Sequence, residues 1–361
     1  MAVPIIPFTG GPCGGKSTIM ANQVENLLNY GFRPIICPES ATTLHGCGLR
    51  YTDKKFQEAI FLNQMRMEDL LQHAAADMVN PVILCDRGLL DGLGYVDRQI
   101  MEDLAKPSTL EYLRDSRYKG IIHLQTAAID AETFYTLENN KARTETPMQA
   151  RLLDERMLKA YNGHPRHFVI GNRGLTFNQK KDLALESTLK ILEVPFPIED
   201  EERFLIDGFF KPSDIPLHTV ASPIVQDYLI SDKKIERVRK RGVPGSEVYF
   251  HTIKSQAENS EADIGKERII SKSEYDKLLA RRYPQSRTIT KIRHTFHWNN
   301  LYFELDQFTH PVNYLILEVE KTNRNTVIEI PDFLKKFIIQ DITGLKEYSN
   351  LYFANAKPVL I

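Results

Sequence analysis

The chain has 361 residues, 42% of them hydrophobic and 26% charged, with a formal net charge of −1. That length supports two domains with separate cores, and the charge balance gives no general attraction to nucleic acid. No apolar run approaches the ~20 residues that span a bilayer, and the opening "MAVPIIPFTGGP" lacks the charged start and long apolar core of a secretion signal.

In chain order, "VPIIPF" reads as a strand, although Pro4 and Pro7 cost it ladder donors. The glycine-rich "GGPCGGKST" (residues 10–18) follows. "KSTIMANQVENLLNYG" is expected as a helix, with Ile19, Met20, Val24, Leu27 and Leu28 on one apolar face and Gly31 as its stop. "RPIIC" is a second strand and "KKFQEAIFLNQMRMEDLLQHAAADM" a long amphipathic helix. "PVILCDRG", "GIIHLQT" and "HFVIGN" read as three more strands, and "NQKKDLALESTLKILE" as a closing helix. Short apolar strands alternating with helices predict a parallel sheet covered on both faces. The four cysteines, Cys13, Cys37, Cys47 and Cys85, form no CxxC pair and are expected as reduced thiols of a cytosolic protein.

The pattern changes near Pro195 and Pro197, which places domain boundaries at 1–195 and 196–361. Beyond them come "ERFLIDGFF", "VQDYLI", "ERVRKRG", "VYFHTIKS", "KERIIS", "TKIRHTFHW", "LYFELDQF" and "NYLILEVEK". Two segments there, "KSEYDKLLARR" and "PDFLKKFII", read as helices, and "KSQAENSEADIGK" as a loop. About eight strands with few helices predict a sheet-rich barrel or α+β domain.

Gly10, Gly15, Lys16 and Ser17 meet the pattern G-x-x-x-x-G-K-[ST] between a strand and a helix. Small residues, Gly11 and Gly14 among them, let backbone N–H groups of the loop, Thr18 included, curl round phosphates. The lysine reaches the β/γ-phosphates, and the serine hydroxyl suits Mg²⁺. The following helix aims its positive end at the same anion. Glu39, in "CPESAT", and Asp86, in "LCDRG", fall at the carboxyl ends of strands, where open α/β sheets bind ligands. Asp86 is placed to hold Mg²⁺ through water, and Arg87 to reach phosphate. Arg143 and Arg151, in "NNKARTETPMQARLLDER", suit a lid over the phosphates, with an ordinary exposed helix face as the alternative.

In the second half, charges recur at i and i+2: Glu199, Glu201 and Arg203; Arg237, Arg239 and Arg241; Lys291 and Arg293; Glu304 and Asp306; Glu318 and Glu320. A strand repeats every two residues, so each set shares a face. Turned inward, such faces are costly unless the charges pair or bind something. A polyphosphate with a divalent metal meets that need. Arginines grip phosphate oxygens, and carboxylates hold Mg²⁺ or Mn²⁺. The run "KKIERVRKRG" suits anionic lipid heads better than nucleic acid, since stacking aromatics at useful spacing are missing.

The pieces "GGPCGGKST", "PESAT", "CDRGLLDG", "QARLLDER" and "GHPRHFVIGN" resemble the nucleoside- and nucleotide-kinase branch of P-loop proteins, including the ATPase domain of bacterial ribosylnicotinamide kinases. That resemblance implies that Lys16, Glu39, Asp86 and Arg143 are catalytic, with Glu39 and Asp86 near the acceptor hydroxyl and the metal. An N-K-x-D guanine-reading motif is absent, so ATP and GTP both stay open. "EDEERFLI", "QDYLI", "RVR", Lys254 in "YFHTIKS", "KIR", Asp306 and "LILEVE", in that order, resemble CYTH domains, the triphosphate-tunnel fold. This implies an eight-stranded antiparallel barrel that hydrolyses or cyclises triphosphates with a divalent metal. By it, Arg203, Arg237, Arg239, Lys254, Lys291 and Arg293 would hold polyphosphate, and Glu199, Glu201, Glu318 and Glu320 metal.

Two departures stand out. Arg203 replaces a lysine of the opening motif, which favours binding over turnover. In "ADIGKERIIS", Glu267 alone stands where the family has a pair of acids. The order of the two domains resembles the family of the fly TRPL translocation defect protein, which implies GTP, phosphoinositide and peripheral membrane contact.

Overall fold

The computed structural model describes residues 3–49, 54–135, 145–194, 201–231, 235–256, 263–320 and 327–355. The chain divides into two compact units, Met1–Leu192 and Glu193–Ile361.

In the first unit, β1 (Ile5–Thr9) leads through the glycine loop into α1 (Lys16–Asn29), followed by β2 (Arg33–Cys37), α2 (Ser40–Gly46), α3 (Lys54–Ala74) and β3 (Pro81–Asp86). A 3₁₀ turn (Leu89–Gly94), α4 (Arg98–Ala105) and α5 (Leu110–Arg117) precede β4 (Ile121–Leu124). Then come α6 (Pro147–Tyr161), β5 (His167–Ile170) and α7 (Phe177–Ile191). The five strands are parallel in the order β2-β3-β1-β4-β5. Connections from β1 and β4 run to opposite sides of the sheet, so the loop after β1 sits at a topological switch point, where such sheets open a crevice. All five residues of β1 are buried. Pro7 is tolerated there because Pro4 and Phe8 carbonyls accept from Ile83 and Arg87 of the β3 side. By strand alternation Pro7 therefore faces β4, whose register with β1 begins only at Phe8.

The second unit contains β6 (Glu201–Ile206), β7 (Val220–Tyr228), β8 (Ile235–Arg241), β9 (Val248–Gln256), β10 (Asp263–Ile270), α8 (Lys272–Leu279), β11 (Ile289–Trp298), β12 (Leu301–His310), β13 (Leu315–Glu320), α9 (Asp332–Lys335), β14 (Ile338–Asp341) and α10 (Asn350–Phe353). Among the described residues its strands form one nine-stranded antiparallel sheet in the order β10-β9-β8-β7-β11-β12-β13-β6-β14. The ninth strand corrects the expected eight. "PDFLKKFII" is one helical turn followed by β14, which pairs with β6, so ladder hydrogen bonds override the helix pattern there.

One sheet face packs an apolar core of Phe296, Phe303, Leu305, Leu317 and Leu334. The other carries the charges and is also buried, with Lys291 2% and Asp306 0% exposed. Ile289, Phe308, Ile316 and Phe353 form an apolar cluster of their own, and Lys291 Nζ lies 4.8 Å from the Phe308 ring centroid. Among the described residues no helix is long and apolar enough to cross a membrane.

Candidate functional site

The glycine loop is shaped by close backbone approach. A Cβ on Gly10 would meet Leu124 O, at the end of β4, at 2.2 Å, and one on Gly14 would meet the same atom at 2.5 Å. Gly15, at φ 82°, takes the left-handed conformation that starts α1. Lys16, 9% exposed, curls back so that Nζ donates to Gly10 O (2.9 Å) and Gly11 O (2.8 Å). Burial first, then the Arg87 guanidinium, holds its ammonium down to about 8. Ser17 Oγ donates to Asp86 Oδ2 at 3.0 Å, and burial pushes the Asp86 carboxyl up against the pull of Lys16.

Arg87, with φ 75°, sits in a left-handed conformation that costs a non-glycine residue energy. Its Nε donates to Glu39 Oε1 (2.6 Å), and its Nη1 to Asp91 Oδ2 (3.2 Å) and Gly10 O (3.3 Å). Burial would push the Glu39 carboxyl up. Arg87, the Thr42 hydroxyl and Lys16 outweigh it and hold the group at about 2. Glu39 is therefore a fixed hydrogen-bond acceptor rather than a proton store. Asp91, 3% exposed, also accepts from Thr9 Oγ1 (2.7 Å) and the Tyr161 hydroxyl (2.9 Å), and so anchors Arg87.

These groups open on a cavity of about 1230 Å³ lined by the loop, Glu39, Asp86, Arg87 and Asp91. Its lining also includes Phe56, Phe61, Tyr95, Asn172, Phe177 and Lys180. Lys180 Nζ donates to Gln125 O and Asn172 Oδ1, both at 2.7 Å, and burial first holds its ammonium down to about 7.

Of the expected first-unit residues, the structure brings together Gly10, Gly11, Gly14, Gly15, Lys16, Ser17, Glu39, Asp86 and Arg87, with Thr18 on the cavity wall. Arg87 faces Glu39 and Asp91. Arg151 donates to Ala128 O (2.5 Å) and Glu132 Oε1 (2.8 Å), next to the lining residues Ala127, Ala131 and Thr133. Arg143 lies outside the described residues. Asp91 and Asp154 fall within "CDRGLLDG" and "QARLLDER" but are not singled out there as site residues, and Lys180 carries no motif signal.

In the second unit the charges form a partitioned cluster. Asp306 accepts from Lys291 and from Arg293 Nε (2.7 Å) and Nη2 (2.6 Å). Arg293 also pairs with Glu304 and with Glu318 (2.8 Å), and Glu318 with Arg203 (3.0 Å). Across the sheet, Arg237 and Arg239 stand 3.8 Å from Glu267. There burial and the neighbouring arginines, Arg237 first, hold the Arg239 guanidinium down to about 10.

Glu201 and Glu320 stand opposite one another on β6 and β13, and both are exposed. Among the described residues no group of three or more His, Cys, Asp or Glu could hold a metal ion. Glu199 lies outside the described residues, and Lys254 is placed by its backbone alone, opposite Ile235 and Gly265.

Residues 5–177 match a family described as an AAA domain. With the loop geometry, the match points to nucleotide binding in the first unit. None of the curated proteins matches the chain. Among solved structures, the inorganic triphosphatase NE1496 is 24% identical with a TM-score of 0.32, covering 45% of this chain and 98% of that one. The PH1819 protein from Pyrococcus horikoshii OT3 is 16% identical with a TM-score of 0.28, covering 36% of this chain and 80% of that one. Likeness of that size carries no argument about what this chain binds.

Proposed function

We propose that the first unit binds a Mg²⁺-nucleoside triphosphate, ATP or GTP, and transfers its γ-phosphoryl group to a hydroxyl or to water. The observation that carries this is the convergence of Lys16, Ser17, Asp86 and the Glu39–Arg87 pair on one cavity. Ser17 Oγ and the Asp86 carboxylate are hard oxygen donors side by side, which fits Mg²⁺. Bound there, Mg²⁺ would neutralise charge on the β- and γ-phosphates. The loop N–H groups and Lys16 would orient the phosphates, with Lys16 exchanging its two loop carbonyls for phosphate oxygens. Glu39, kept ionised by Arg87, would accept a hydrogen bond from the attacking hydroxyl and aim it. Phosphoryl transfer demands positioning more than a strong base, so a carboxyl held at about 2 suits the task.

We further propose that the second unit binds a polyphosphate or phosphoinositide anion through Arg237, Arg239 and their neighbours. A second reading has nucleotide state governing that anion binding, with turnover near background. Asp306 and Glu318 are committed to Lys291, Arg293 and Arg203, which favours binding over metal-dependent turnover in the second unit.

The test is phosphate release or transfer from Mg·ATP and Mg·GTP by the full chain, with and without a panel of alcohols. Asp86→Asn is expected to slow it at least ~10-fold, as loss of a metal-holding group does. A rate indifferent to Asp86 would overturn the transfer reading.

A further inference from the structure

α6 packs one face against the phosphate loop and the residues beside it. Ala150, Asp154, Met157 and Tyr161 recur at helical spacing and are all buried. Each touches part of the site. A Cβ on Gly11 would meet Ala150 O at 2.9 Å, Arg87 Nη1 lies 3.5 Å from Met157 Sδ, and Tyr161 holds Asp91.

Asp154 makes the most specific of these contacts. Its Oδ1 accepts the Gly11 N–H at 2.7 Å and the Thr126 N–H at 3.0 Å, and its Oδ2 lies 3.2 Å from His123 Nε2. One carboxylate thus ties the second residue of the loop to the end of β4 and to α6. Gly10 and Gly14 press on Leu124 O of the same strand end. The loop is therefore held by a charge with a fixed address, from a residue outside the cavity lining. A buried carboxylate is costly, and here its cost is met by two backbone donors and an imidazole.

We propose that Asp154 is a positioning residue for the phosphate loop: it fixes the Gly11 peptide so that the loop N–H groups face phosphate oxygens. It touches no substrate. This rests on the nucleotide reading above. The structural alternative is that Asp154 merely stabilises the unit.

The two roles separate in a ratio. A loop that is out of place loses its grip on β- and γ-phosphates but keeps contacts to the nucleoside. A fold that is only less stable, assayed well below its melting temperature, keeps the same preference for triphosphate over monophosphate.

The experiment uses the full chain with Mg²⁺ and measures Kd for ATP and AMP, and for GTP and GMP, by direct isothermal titration of each nucleotide. Melting temperatures are recorded alongside. Lys16→Ala is the control for the nucleotide reading and should collapse the triphosphate-to-monophosphate ratio. If it leaves the ratio intact, the nucleotide reading fails, and the proposal with it. Asp154→Ala orphans two buried N–H groups and is expected to lower the ratio roughly 10-fold or more. Asp154→Asn keeps an acceptor oxygen but loses the charge, which weakens the hydrogen bonds. It is expected to lower the ratio about threefold and serves as the deciding variant if the alanine form does not fold. An unchanged ratio in either folded variant, with Lys16→Ala collapsing it, overturns the positioning role.

Discussion

Replacing Asp306 with asparagine should destabilise the second unit far more than its small change in shape suggests. Asp306 is fully buried and accepts from both Lys291 and Arg293, themselves 2% and 13% exposed. Asparagine keeps the volume and deletes the charge, which leaves the buried Lys291 without its counter-ion and Arg293 with Glu304 and Glu318 alone. Breaking a buried pair from one side costs about 3–5 kcal/mol. In a unit of this size each kcal/mol moves the melting temperature by about 2–4 °C, so a fall of roughly 6–20 °C is expected.

The pH dependence has a definite sign. Burial raises the Asp306 carboxyl, but Arg293 and then Lys291 outweigh it and hold it well below the usual carboxylate range. Its contribution is therefore present above the unfolded-state value of ~3.9 and is lost as pH falls toward the folded value. Calorimetry and near-ultraviolet circular dichroism of the full chain at pH 7 and at about pH 2.5, inside that window, measure both effects. A loss under ~1 kcal/mol at pH 7 is what a solvated pair would give, and would refute a buried charge cluster.

Gly14→Ala should abolish triphosphate binding with little change in the rest of the unit, because its Cβ would lie 2.5 Å from Leu124 O, a backbone atom that cannot step aside. Triphosphate titration of the variant checks this. Lys16 supplies a proton signature. Its ammonium sits at about 8 in the free chain, and phosphates should restore it toward the ordinary value, so binding at pH 8 should take up ~0.5 proton, read as buffer-dependent enthalpy. By the same sign, this lysine weakens the nucleotide-free fold below pH 8, and that deficit fades as pH rises from 8 toward 10.5.

How much of this was legible in the sequence differs by element. The loop and its strand–helix frame were, because glycine, lysine and hydroxyl at fixed offsets encode backbone geometry. β6 to β13 were, because buried strands alternate charge and apolar side chains. α2, with two β-branched threonines in "SATTLHG", is short and carries little helical periodicity. β14 was hidden because "FLKKFII" has the residue types of a helix, while pairing with β6 decided its form. Asp91 and Asp154 were not legible as site residues. Their roles depend on Arg87 and Gly11, which lie four and 143 residues away in sequence. The kinds of charge in the second unit could be read from strand spacing, but not their partition. That depends on register, which sets Glu318 beside Arg203 across β13 and β6.

The central claim is that "GGPCGGKST" holds the phosphates of a nucleotide. Isothermal titration of Mg·ATP and Mg·GTP into the wild-type chain and Lys16→Ala tests it most directly. Saturable one-site binding of at least one nucleotide, lost in the variant, is the expected result. No binding of either nucleotide to the wild type, or equal binding by both proteins, would contradict it.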